Sequence, residues 1–133
     1  VLGHLAALQD WSVNRVFLEK EPKIARIERE IFKGGRVITD SDRQLFGSKA
    51  KLEQGFIDSQ RSTLQTLEAF DISLWDKETP SGCRFQTLGS LWEHLGVHNY
   101  WHLGQIGSVI PKLIGSNLTL SAPRYYSVDP FEK

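Results

Sequence analysis

His94-Leu95-Gly96-Val97-His98-Asn99-Tyr100-Trp101-His102 places three of the chain's four histidines at intervals of four residues. On an α-helix, positions four apart share one face, one turn above the other. The flanking sequence supports a helix. Leu88, Leu91, Leu95, Ile106, Val109 and Leu113 recur at helical spacing, and Thr87 is a candidate N-cap. The pattern predicts a helix from 88 to about 110, with Pro111 kinking or ending it and Gly115 closing any continuation. Beyond about 116, Pro123, Pro130 and the Tyr125-Tyr126 pair read as an irregular tail.

Working back towards the start, residues 1 to about 20 place Leu5, Leu8, Val16 and Phe17 near one side of a helix, with Trp11 flanking them. Glu21-Pro22 interrupts it. Pro22 is suited to open a short second helix, Lys23 to Lys33, with Ile24, Ile27 and Ile31 at helical spacing and Gly34-Gly35 at its end. After a connection at 36–40, Ser41 and Gln44 match a capping box ahead of a long helix from about 42 to 69. Leu45, Leu52, Phe56, Leu64 and Leu67 form its apolar stripe. Residues 71–86 carry Asp71, Pro80, Ser81 and Gly82 and read as a loop.

Few β-branched alternations occur, so the expected class is all-α, an antiparallel bundle in one domain over 1–133. Sixteen basic residues balance sixteen acidic ones, and the two signs are interspersed. That leaves no electrostatic footprint for nucleic acid or an anionic membrane. No apolar run approaches the ~20 residues of a transmembrane helix. The lone Cys83 cannot form an internal disulfide or a cysteine zinc cluster, which favours a reducing compartment such as the cytoplasm. Val1 to Leu8 already reads as helix with no N-cap ahead of it, so the start is expected inside or just before an element.

Three imidazoles from one helix cannot easily meet at one ion, because His94 and His102 would stand about 12 Å apart along the axis. One four-spaced pair plus a ligand from another helix is the better geometry. His98 and His102 are the natural pair if His4, on a different helix, supplies the third ligand. Three neutral imidazoles leave at least one coordination position open, a pattern of catalytic rather than closed structural zinc sites. Gln105 shares the face and is placed to orient His102 or to bond a coordinated water, and His94 shares it as a supporting group. The metalloprotease motif is absent, since Leu95 follows His94 and Asn99 follows His98 where that motif needs Glu. The Glu-x-x-His pairs of di-iron carboxylate bundles are absent too.

The stretch Leu91-Trp92-Glu93-His94-Leu95-Gly96-Val97-His98-Asn99-Tyr100-Trp101-His102-Leu103-Gly104-Gln105-Ile106 resembles the last-helix signature of the DinB/YfiT-like superfamily. Leu2-Gly3-His4-Leu5-Ala6 resembles that family's second-helix segment. Matched by position, the resemblance implies a metal triad of His4, His98 and His102, with His94 as the family's extra, non-ligating histidine. It implies a four-helix bundle, often a homodimer, whose first helix is missing from this chain. Relatives include metal-dependent thiol S-transferases and a mycothiol-dependent maleylpyruvate isomerase. The expected cofactors are therefore a divalent metal, zinc or nickel, and a low-molecular-weight thiol, and the expected partner is a small-molecule substrate.

Around such a site Trp11, Asn14, Arg15, Trp92 and Trp101 are pocket candidates, Trp11 being seven residues from His4 and Arg15 suited to an anionic group. Each also has an ordinary reading in a core or on a solvated surface. Two other classes stay open. One is a non-catalytic bundle with a structural or vestigial metal site. The other is a metal-free dimerising helical module whose histidines make polar contacts.

Overall fold

The computed structural model describes residues 1–33 and 36–114, with side chains described to Gly107. Among these residues every regular element is helical, and the extended contact is a single antiparallel bridge between Glu78 and Thr87. The chain is all-α. No helix of the described residues is long and apolar enough to cross a membrane. Residue contacts group the described residues into two units, divided between Val97 and His98.

In the first unit, α1 (Leu2–Trp11) runs directly into a π-helical turn, Ser12–Phe17. The widened turn shows in the amide of Leu18 donating to the carbonyl of Val13, five residues back, at 3.0 Å. The turn is capped by Leu18, and Glu19 after it has a left-handed backbone at φ 54°. The helix expected to reach residue 20 therefore stops being α-helical at Ser12. Val16 and Phe17 still enter the core, where Phe17 stacks on Trp92 with ring centroids 4.1 Å apart. α1 is not a one-sided amphipathic helix. Gly3, Leu5, Ala6, Ala7, Gln9 and Asp10 are all buried, which spreads burial well beyond one stripe.

Burying Asp10 requires partners for its carboxylate. The amides of Lys23 and Ile24 donate to it at 3.1 and 2.8 Å, and the Asn14 side-chain amide donates at 2.8 Å. These bonds hold the 18–25 segment in a non-helical path. α2 consequently spans Arg26–Ile31 and does not begin near Lys23. Ile31 is buried, while Ile27 is 63% exposed, so the three isoleucines do not share one buried stripe.

The helix expected over 42–69 is two helices. Thr39 caps α3 (Asp40–Leu45): the Asp42 amide donates to the Thr39 hydroxyl at 3.2 Å, and the Thr39 amide donates to the Asp42 carboxylate at 2.9 Å. The capping box thus lies two residues earlier than Ser41 and Gln44. Gly47 then takes φ 70°, a left-handed conformation that ends a helix cheaply only at glycine, and Ser48 caps α4 (Lys49–Glu68). The apolar stripe of 45–67 runs across this break, which is why spacing alone concealed it.

α4 packs against α1. A loop containing the 3-10 turn Ile72–Leu74 leads to α5 (Leu88–Ile114). Thr87 caps α5, accepting from the Ser90 amide at 3.2 Å. The opening of α5 closes the core, with Leu88, Leu91, Trp92 and Leu95 buried together with Val16. Gly89 is required there, because a Cβ would lie 2.3 Å from Nε1 of Trp75. In the second unit α5 continues to Ile114, through Pro111 and past the expected end near 110. The tail expected from about 116 and the Gly34-Gly35 stop lie outside the described residues.

Asp10→Ala should strip acceptors from two backbone amides, one of the costlier losses for a buried group. A destabilisation of about 2 kcal/mol is expected in urea unfolding, and a change below about 0.5 kcal/mol would contradict the role assigned to this carboxylate.

Candidate metal centre

His4 stands on the third residue of α1 and is partly buried. Its Nδ1 lies 2.7 Å from the carbonyl oxygen of Phe32. A carbonyl only accepts, so Nδ1 carries the proton and donates, and Nε2 presents its lone pair. Phe32 is the residue that ends α2, where helix carbonyls have no partner within the helix. His4 supplies that partner. The arrangement depends on Gly3, because a Cβ there would sit 2.3 Å from the Phe32 ring.

His98 and His102 lie one turn apart on α5, with relative exposures of 8% and 9%. Nδ1 of His102 lies 2.6 Å from Oε1 of Gln105, to which it donates, so its Nε2 also carries the lone pair. That Nε2 faces Nε2 of His98 at 3.2 Å, with the rings edge-on and 4.5 Å between centroids. Two imidazole nitrogens approach this closely when a proton or a cation lies between them. For zinc–nitrogen bonds of about 2.05 Å, the edge of a tetrahedron is about 3.3 Å. The separation of the pair therefore fits two ligands of one ion.

One ligand atom from each of His4, His98 and His102 lies within 4.8 Å of the others. The donor set is chemically consistent: neutral imidazole is the commonest protein ligand for zinc and suits nickel. In two of the three rings the far nitrogen is fixed by an oxygen acceptor, the arrangement that orients metal-ligating histidines.

His94 is engaged elsewhere. Its Nε2 lies 3.1 Å from a guanidinium nitrogen of Arg84, which donates to it, and its ring lies 4.5 Å from that of Phe85. Burial first, and then the positive charge of Arg84, lower its pKa from the usual 6.5. Trp101 is 63% exposed, with its ring 5.3 Å from His102 and 6.1 Å from His98. Trp92 is buried in the core against Phe17. Asn14 is buried and bonded to Asp10. Arg15 is exposed and paired with Glu21 at 3.2 Å.

Within the first unit a cavity of about 360 Å³ adjoins His4, with Leu8, Trp11 and Phe32 in its wall. Asn14 and Arg15 do not line it; Trp11 does. Its remaining wall comes from α2 and the residues just after it, chiefly Arg26, Arg29 and Lys33. Sequence reading passed over these three. Their spacing of three and four residues was the available signal, because it marks one cationic face of a helix.

No family model, curated protein or solved structure matches the chain.

Two outcomes follow from this geometry. Gly3→Ala should push Phe32 away and release His4. The His4 Nδ1–H signal, detectable by proton–nitrogen NMR when hydrogen-bonded, should broaden or vanish, and stability should fall by about 1–3 kcal/mol. An unchanged signal would show that Phe32 does not hold the ring. His94 binds a proton less readily in the native state than in the unfolded chain. Its contribution to stability is therefore lost as pH falls below about 6.5, through its lowered folded pKa. His94→Gln should flatten that part of the stability–pH curve, and a superimposable curve would contradict the assignment.

Proposed function

We propose that His4, His98 and His102 hold one divalent metal ion, zinc or nickel, and that the protein is a metal-dependent enzyme acting on a small molecule. In this reading it is a DinB/YfiT-like antiparallel four-helix bundle, and the reaction is S-transfer from a low-molecular-weight thiol. The observation that carries the proposal is the convergence of three imidazole ligand atoms within 4.8 Å. The tautomers add support: the oxygens of Phe32 and Gln105 accept hydrogen bonds from the Nδ1–H groups of His4 and His102, which leaves the lone pair of both Nε2 atoms for a cation.

Three neutral ligands leave the ion's double positive charge uncompensated and its coordination incomplete. When bound, such an ion supplies Lewis acidity for activating a thiol or a water near neutral pH. The chain's own part is to orient the three rings, keep the His98–His102 pair largely out of bulk water, and offer a cavity beside His4 for the second reactant. No carboxylate belongs to the converging group. Among the described residues the site therefore offers imidazole, and not acid, as its ligand chemistry.

Metal analysis by mass spectrometry of protein prepared without a histidine tag tests the proposal. About one equivalent of zinc or nickel should remain after dialysis, falling below about a tenth in His98→Ala and in His4→Ala. Retention unchanged in either variant would refute the triad. Cobalt-loaded protein then tests the chemistry: a small thiol such as N-acetylcysteine should add a sulfur-to-cobalt charge-transfer band in the near ultraviolet. Cobalt loading without that band would support a structural or vestigial site instead.

A further inference from the structure

We propose that the cavity beside His4 selects an organic anion, a carboxylate or similar oxyacid attached to an apolar or aromatic body. This deepens the enzymatic reading above and rests on it for the role of His4, but the binding itself is a property of the first unit alone. The cavity of about 360 Å³ lies within the size range of small-molecule sites. One wall is apolar and aromatic, built from Leu8, Trp11 and Phe32. The opposite chemistry comes from Arg26, Arg29 and Lys33.

The charges do not cancel. Glu30 is the one acid in the lining, and Lys33 already pairs with it at 2.6 Å. That bond, with the nearby charges of Arg26 and Arg29, holds the Glu30 carboxyl below its usual pKa. Arg29 uses one guanidinium nitrogen on the carbonyl of Ile24, a neutral partner that fixes the side chain, and forms no direct ion pair among the described residues. Arg26 forms no ion pair among the described residues. Arg26 and Arg29 thus line the same cavity as Trp11 and Phe32, and the single carboxylate of that lining is bonded to Lys33.

Guanidinium presents paired N–H donors that match the two oxygens of a carboxylate, a geometry that a lone ammonium lacks. An anion held there would have its apolar body against Trp11 and its reacting end towards His4. α2 is kept in place by the bonds from Lys23 and Ile24 to Asp10, so the two arginines are mounted on a fixed helix. Arg26 and Arg29 act as specificity determinants, and neither belongs to the converging histidine group.

NMR titration of nitrogen-15-labelled protein with 2-naphthoate and with its neutral counterpart 2-naphthamide tests this, with and without one equivalent of zinc. Naphthoate should shift the Trp11 indole and Arg29 signals in both metal states and bind about tenfold or more tightly than the amide, as expected for a charge-assisted contact. Arg26→Gln and Arg29→Gln should each bring naphthoate close to the amide's affinity while zinc uptake stays at the parent level. Equal binding of the two probes, no binding of either, or no effect of both substitutions would overturn the proposal. Loss of zinc uptake with naphthoate selectivity intact would count against the metal reading and leave this one standing.

Discussion

The donation from His4 Nδ1 to the carbonyl of Phe32 at 2.7 Å is the constraint on which the site depends. It joins the first helix to the end of the second and satisfies a carbonyl that α2 cannot bond internally. It also decides which imidazole nitrogen carries a lone pair. Without it the ring could take either tautomer and rotate. Gly3 makes it possible by letting the Phe32 ring lie against the backbone of α1, and Phe46 packs on the same ring at 4.9 Å between centroids.

A second polar anchor supports the first. The buried Asp10 carboxylate takes the amides of Lys23 and Ile24, where the chain turns from the π-helical segment towards α2. α2 has only one buried apolar residue, Ile31, and six residues are too few for an independently stable helix. Its position is set by hydrogen bonds at its start and by Phe32 at its end, more than by an apolar face. The aromatic core of Phe17, Phe70, Trp75 and Trp92 fixes the start of α5 in the same unit.

The legible parts of the fold were those written in local chemistry. The α5 stripe of Leu88, Leu91 and Leu95 and the Thr87 cap were readable because spacing and a hydroxyl residue agree there. The break between α3 and α4 was not, because Leu45 and Leu52 keep helical register across Gly47-Ser48 while the glycine's left-handed backbone decides the outcome. Nor was the π-helical turn, which no residue type announces. Burial of α1 on several sides was hidden by small residues, Gly3, Ala6 and Ala7, that contribute little to an apolar stripe yet allow close packing. At the site, the His98–His102 spacing was readable from one helix. His4 entered through its helical context and a family resemblance. Arg26 and Arg29 were missed because charges on a short helix ordinarily face solvent, and only the cavity shows them lining one site.

X-ray absorption spectroscopy of the zinc-loaded protein tests the central claim most directly. Nitrogen or oxygen neighbours are expected at about 2.0–2.1 Å, with the outer-shell scattering of three imidazole rings, falling to two rings in His4→Ala. A spectrum with the same imidazole count in the parent and the variant would contradict it.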